Sequence, residues 1–229
     1  MIVLLSWAVP AWSEAQTLTL EDGTLLRYGL TVPEIAPGER VPLVLGLHYG
    51  WSLGQTPPAY YGRDYMDILL VRGLGELNAV IVAPDSLASR WSDPINDAAL
   101  LQLVAAIRDD FPVDPDRIVV TGFSLGGMGA WSFAARHPDL VSAAIPMAGR
   151  PSDEAFDNWE NVPVYAIHGG ADELVPSSPA REAVAALADR GVAAAFVEVP
   201  GLSHFETVRY ADALNDAIAW LHGVWSSAD

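Results

Sequence analysis

The stretch RIVVTGFSLGGMGAW, Arg117 to Trp131, sets a single serine among glycines where an apolar, β-branched run gives way to small residues. Ile118 to Thr121 reads as a strand buried on both faces, and Leu125 to Arg136 as a helix, so Ser124 stands at a strand-to-helix turn. Gly122-Phe123-Ser124-Leu125-Gly126 is G-x-S-x-G in the context that gives the motif meaning: the sharp turn strains the serine, and its neighbours must be small for helix and strand to approach. Gly122 and Gly126 supply that room, and Gly127 and Gly129 extend it. A helix N-terminus beneath the hydroxyl also favours developing negative charge.

Strand and helix patterns alternate on both sides of this turn. Thr17 to Leu20 and Leu25 to Val32 flank Glu21-Asp22-Gly23 and read as a β-hairpin. Short apolar runs follow at Val41 to Leu47, Ala79 to Ala83, Ser142 to Met147, Val164 to Ile167 and Ala195 to Val199, each ending in a polar or glycine-bearing segment. Helical spacing appears at Tyr65 to Leu77, Ile95 to Phe111, Pro179 to Arg190 and Thr207 to His222. The alternation predicts an open, mostly parallel α/β sheet covered on both faces, with functional loops at the carboxyl ends of the strands.

The composition narrows the chemistry. At 229 residues and 51% hydrophobic, the chain can bury one sizeable core, and nothing in it resembles an interdomain linker. It contains no lysine, so all 12 basic residues are arginine; Schiff-base, Ser-Lys and P-loop chemistry are excluded. The formal charge of −17 opposes binding to nucleic acid or anionic lipid. Without cysteine there is no disulfide, thiolate nucleophile or cysteine-ligated metal. The opening MIVLLSWAVPAWSEAQ has an apolar run and a small-x-small site at Ser13 to Ala15. It predicts an export signal over residues 1–15, without the usual basic start, a domain from residue 16, and a secreted or periplasmic protein, with a cytoplasmic one as the alternative. The run is too short to span a bilayer.

A serine hydroxyl is a poor nucleophile at neutral pH unless a base lies within reach, and that base needs an orienting acid. VYAIHGGADELVP ends a strand near His168 and places Asp172 on a loop, with Glu173 as the alternative acid. FVEVPGLSHFET ends a strand at Val199 and places His204 on a loop before the last helix. His48, His137, His168 and His222 read as structural. A tetrahedral intermediate needs donors aimed at its oxyanion; the backbone N–H of Leu125 is one candidate, and Gly50 or Tyr49, in the turn after Val41 to Leu47, offers the second. Trp51 and Trp91 are candidate substrate contacts, and Trp91 lies in SRWSDP, Ser89 to Pro94.

The residues VDPDRIVVTGFSLGGMGAWSFAARHPD from Val113 and HGGAD from His168 resemble the α/β-hydrolase superfamily, in its branch of phospholipase/carboxylesterases, feruloyl and acetylxylan esterases and polyhydroxybutyrate depolymerase-like enzymes. The resemblance implies the chain order Ser124, Asp172, His204 and favours Asp172 over Glu173. It also implies hydrolysis of small-molecule carboxylic esters, short-chain or aryl- or sugar-linked, through an acyl-enzyme, with no metal or organic cofactor. His48-Tyr49-Gly50 departs from the His-Gly usual in that branch's oxyanion turn, and 148–161 is the only sizeable insert near the site, which leaves no room for a large cap. A serine peptidase of the prolyl oligopeptidase kind, a lidded lipase and a binding module on a hydrolase scaffold are the alternatives. The sequence says nothing of oligomeric state.

Overall fold

The computed structural model describes residues 13–51 and 57–227. Residues 1–12, which hold most of the expected export signal, lie outside the described residues. Eight strands form one sheet in the order β1-β2-β4-β3-β5-β6-β7-β8. They are β1 (Glu14–Thr19), β2 (Leu25–Thr31), β3 (Val41–Leu47), β4 (Val80–Pro84), β5 (Val113–Phe123), β6 (Ala143–Met147), β7 (Val164–Gly169) and β8 (Ala194–Val199). β1 and β2 pair antiparallel, as do β2 and β4, and every other neighbouring pair is parallel. The expected hairpin turn is present: Gly23 takes φ 87°, which suits a residue without Cβ, and Asp22 accepts the Thr24 N–H at 2.8 Å. β1 starts earlier than expected, with Glu14 and Ala15 already paired to Leu30 and Gly29.

The helices are α1 (Tyr61–Tyr65), α2 (Val71–Leu74), α3 (Pro94–Asp110), α4 (Leu125–Arg136), α5 (Asp153–Asp157), α6 (Ser178–Asp189) and α7 (Tyr210–Ser226). The expected single helix over Tyr65 to Leu77 begins four residues earlier. It is broken by a π turn at Met66–Leu70 and a 3₁₀ turn at Gly75–Leu77. Parallel strands need both faces covered, and β3 shows how its sequence divides them. Leu43, Leu45 and Leu47 enter the core beneath α3, α4 and α6, while Val44 enters the core formed with α1, α2 and α7. Gly46 faces this second layer, and any Cβ there would strike Leu70.

Candidate active site

The loops after β3, β4, β5, β7 and β8 converge on one cleft of about 1100 Å³ at the carboxyl end of the sheet. At its base Ser124 adopts φ 56°, ψ −115°, a sparsely populated positive-φ conformation that costs a non-glycine residue about 1–3 kcal/mol. The surrounding packing enforces it: a Cβ on Gly122 would strike the Gly126 carbonyl, and one on Gly126 would strike the Leu47 carbonyl. The glycines quoted at the outset therefore let α4 dock on β5 and β3 closely enough to bend the chain at Ser124. The Ser124 N–H donates to the Met147 carbonyl at 2.9 Å and ties the bend to β6.

Ser124, Asp172 and His204 come together as their order predicts. The Ser124 hydroxyl donates to His204 Nε2 at 2.9 Å, and His204 Nδ1–H donates to Asp172 Oδ2 at 2.7 Å. The tautomer follows from the acid: a carboxylate only accepts, so the proton sits on Nδ1 and leaves Nε2 free to take one from serine. Asp172 is itself held by the Leu174 and Val175 N–H groups, which donate to Oδ1 at 2.9 and 2.7 Å. Burial pushes the Asp172 carboxyl up, but these amides and His204 outweigh it and leave the group below the usual carboxylate value. Glu173, the alternative acid, faces elsewhere: its Oε2 accepts the His204 backbone N–H at 3.0 Å and its Oε1 accepts from Ser203 Oγ at 3.2 Å. It holds the histidine loop and makes no contact with the ring. Phe123 packs against the imidazole at 5.2 Å between ring centroids.

Leu125, Tyr49 and Gly50 line the same cleft beside Ser124. A Cβ on Gly50 would lie 3.8 Å from the Leu125 side chain, so the two candidate oxyanion donors belong to adjoining turns. Sequence reading placed His48 among structural residues without finding what it holds. Its Nδ1–H donates to the Tyr49 carbonyl at 2.7 Å, and Nε2 accepts the Ser86 N–H at 3.1 Å, which joins the turns after β3 and β4 through one neutral ring. Burial lowers the His48 pKa against the opposing pull of the Tyr49 carbonyl and Asp85. The signal was available in the strand-end position of His48, but its partner in the loop after β4 is 38 residues away.

The two candidate tryptophans part company. Trp51 is 41% exposed, lines the cleft and meets Tyr61 edge-on at 5.0 Å. Trp91 is 2% exposed and does not line the cleft over Ser124, but it borders a smaller pocket beside it. Its indole N–H donates to the His48 carbonyl at 2.9 Å, and its ring stands against Gly129, where any side chain would collide with it. Trp159 is buried against Trp131. Ser89 and Arg90, beside Trp91, do line the cleft. Asn96, buried at the start of α3, ties this loop down by accepting the Leu87 N–H at 2.7 Å and donating to the Arg90 carbonyl at 2.7 Å.

The remaining histidines do not reach the serine hydroxyl. His168 Nε2–H donates to the Val175 carbonyl at 2.9 Å and lies 3.4 Å from Asp172 Oδ2. His137 Nε2–H donates to Asp97 at 3.0 Å and joins α4 to α3. Among the described residues no group of three or more His, Asp or Glu could hold a metal ion, and no helix is long and apolar enough to cross a membrane.

Comparison with known proteins places the chain among esterase-like relatives in sequence and fold. A curated relative from Arthroderma benhamiae, called an uncharacterized secreted protein, is 26% identical over 77% of this chain and 23% of its own length. A probable feruloyl esterase C of Aspergillus flavus is 26% identical over 73% of this chain and 62% of its own. This chain thus spans less than two thirds of either relative. A thermostable esterase of known structure superposes with a TM-score of 0.76 at 24% identity, covering 92% of this chain and 62% of its own, which establishes the shared fold. Residues 76–222, most of the parallel sheet together with Ser124, Asp172 and His204, match the dienelactone hydrolase family, a branch of the α/β-hydrolases. The chain belongs to the dienelactone hydrolase family.

Proposed function

We propose that the protein is a serine hydrolase of carboxylic esters that works through an acyl-enzyme. The observation that carries this reading is the continuous relay from Ser124 Oγ through His204 to Asp172, at 2.9 and 2.7 Å, on a strained turn at the base of an open cleft. His204 Nε2 takes the serine proton as Oγ attacks the ester carbonyl, and Asp172 stabilises the imidazolium that forms. The N–H of Leu125 and that of Gly50 or Tyr49 hold the oxyanion. His204 then protonates the leaving alkoxide, and water cleaves the acyl-enzyme by the same route.

Short-chain or aryl- and sugar-linked esters suit the cleft. Tyr49 and Trp51 form an aromatic wall backed by buried Tyr61, while Leu174 and Phe205, exposed at 59% and 73%, also line the cleft beside His204. An exported protein is the compartment the opening sequence supports. The test is turnover of 4-nitrophenyl esters from acetate to palmitate by wild type and Ser124→Ala. Ester turnover reduced on the order of a millionfold in Ser124→Ala is expected. A folded variant with near-wild-type rates overturns the assignment, and a folded wild type inert on every ester favours the peptidase or binding-module reading.

A further inference from the structure

The lining of the cleft over Ser124 changes character from one side to the other. Towards β2 and β4 charged and hydroxyl side chains break it up: Arg27, Asp85, Ser86, Ser89 and Arg90. The segments after β7 and β8 contribute Leu174, His204, Phe205 and Thr207, with no carboxylate and no arginine. Phe205 is the most exposed large apolar side chain among the described residues. It and Leu174 stand on backbone that the relay itself fixes. The Leu174 N–H donates to Asp172 Oδ1 at 2.9 Å, and the Phe205 N–H donates to Ser203 Oγ at 3.2 Å. Glu173 ties the two loops together by accepting the His204 N–H at 3.0 Å and the Ser203 hydroxyl at 3.2 Å. Leu174 follows Glu173 and Phe205 follows His204, so these bonds set the two apolar residues on adjoining loops. The Phe205 ring meets the imidazole of His204 edge-on at 5.7 Å.

The strand order decides which part of an ester meets them. β3 lies on one side of β5, and β6, β7 and β8 lie on the other. Tyr49 and Gly50, the candidate oxyanion donors, follow β3, whereas Leu174 follows β7 and His204 and Phe205 follow β8. The carbonyl oxygen therefore turns towards β3. The leaving oxygen must lie by His204 Nε2, the nitrogen that returns its proton, and so the alcohol part extends towards Leu174 and Phe205. An alcohol rich in hydroxyls would give up water there to side chains that cannot hydrogen-bond. An alkyl or aryl alcohol instead covers apolar surface, which is worth about fourfold in binding for each CH₂ group buried.

Resting on the ester-hydrolase reading above, we propose that Leu174 and Phe205 form the subsite for the alcohol of the substrate, and that through it the protein transfers acyl groups to apolar alcohols as well as to water. Of the esters that suit the cleft, those of alkyl and aryl alcohols are favoured over sugar-linked ones. The second activity follows from the first, because the group that attacks the acyl-enzyme takes the place by His204 that the leaving alcohol has vacated. An alcohol seated on Leu174 and Phe205 gives its proton to His204 Nε2 as its oxygen attacks the acyl carbonyl. The bond from the carbonyl carbon to Ser124 Oγ breaks, and His204 returns the proton to Ser124. One ester and one alcohol become another ester and another alcohol, with no further reactant. Water gains nothing from the two apolar side chains, and the alcohol does; that difference sets the share of transfer.

Hexyl acetate and ethyl acetate share an acyl group and have leaving alcohols of nearly equal acidity, so the ratio of their kcat/KM values reads the alcohol side alone. Four added CH₂ groups, each half covered in an open cleft, should favour hexyl acetate about tenfold. The double variant Leu174→Ser, Phe205→Ser changes two exposed positions and should keep the fold. Its ratio should drop below about threefold, with each single variant between. The ratio of ethyl hexanoate to ethyl acetate, which reads the acyl side, should stay as in wild type. With 4-nitrophenyl acetate as donor and millimolar 1-hexanol present, hexyl acetate should form beside acetate, and its share should fall about tenfold in the double variant. A hexyl-to-ethyl ratio near one in wild type, a ratio unchanged in the folded variants, or an equal fall in the alcohol and acyl ratios overturns the subsite. No hexyl acetate above the enzyme-free reaction overturns the transfer. If wild type cleaves no ester, the ester reading fails separately. The subsite is then judged by saturation-transfer NMR with 1-hexanol: a signal lost in the double variant supports it, and no signal overturns it.

Discussion

Asp172→Asn is the substitution whose outcome the site geometry constrains most tightly. Asp172 Oδ1 accepts two backbone N–H groups, from Leu174 at 2.9 Å and Val175 at 2.7 Å. Only an oxygen can accept both, so the amide oxygen of asparagine takes that place. The NH₂ group is then left where Oδ2 now accepts from His204 Nδ1 at 2.7 Å. Two donors cannot face each other, and the ring resolves the conflict by moving its proton to Nε2. That nitrogen is 2.9 Å from Ser124 Oγ, and once protonated it cannot serve as the base. The fold is retained, since the amide anchors survive, while kcat should fall on the order of 10⁴-fold, about 5.4 kcal/mol of transition-state stabilisation. Glu173→Gln is the control, because Glu173 touches the His204 backbone and not its ring; a loss of less than about tenfold is expected, that of one hydrogen bond to a charged group largely recovered by the amide oxygen. Steady-state kinetics on 4-nitrophenyl acetate, with circular dichroism to establish folding, reads both. An Asp172→Asn enzyme within tenfold of wild type, or one more active than Glu173→Gln, would refute the tautomer argument.

Three other outcomes follow from the packing and titration of the site. Gly126→Ala places a methyl group against the Leu47 carbonyl, so α4 must lift from the sheet; a loss of about 4 kcal/mol or more, or no soluble protein, is expected, and an unchanged urea midpoint would contradict it. Trp91→Phe removes the indole donor to the His48 carbonyl at 2.9 Å and leaves that group buried. A stability cost of about 1–3 kcal/mol and a kcat lower by about ten- to a hundredfold should appear together, and a loss of stability alone would detach Trp91 from the oxyanion turn. Burial sets the pKa of His48 and of His168 below the usual histidine value. The unfolded chain thus binds more protons below about pH 6.5, and stability should fall as pH drops through that window by up to about 1.4 kcal/mol per pH unit for each histidine. Asp172, whose folded value is lowered, contributes stability that is full above about pH 4 and is lost as pH falls through the folded value, so it deepens the loss only at stronger acidity. Equal urea midpoints at pH 7 and pH 5 would refute the histidine assignment.

Much of the site was legible because its requirements are local. The bend at Ser124 needs small neighbours, and these sit within five residues of it. Asp172 and His204 each fall just beyond an apolar run whose end could be read. Harder to read were residues whose partners are far away in sequence. Trp91 looked like a surface aromatic in a polar loop, yet it turns inward because the His48 carbonyl, 43 residues earlier, needs a donor and the bare face of Gly129 leaves it space. Glu173 and Asp172 are adjacent acids that composition cannot separate; the two amides on Asp172 Oδ1 and the His204 N–H on Glu173 do so.

By itself the sequence determined the number and kind of most elements, the sharp turn at Ser124 and the loop positions of Asp172 and His204, since periodicity, glycine placement and loop position depend on neighbours within a few residues. Only the tertiary structure decided that β4 inserts between β2 and β3, that the turns after β3 and β4 are joined through one neutral imidazole, and that Leu174 and Phe205 stand on adjoining loops beside His204. Those features depend on groups tens of residues apart in the chain, and they exist only once burial has left each polar atom no partner but the one folding brings to it.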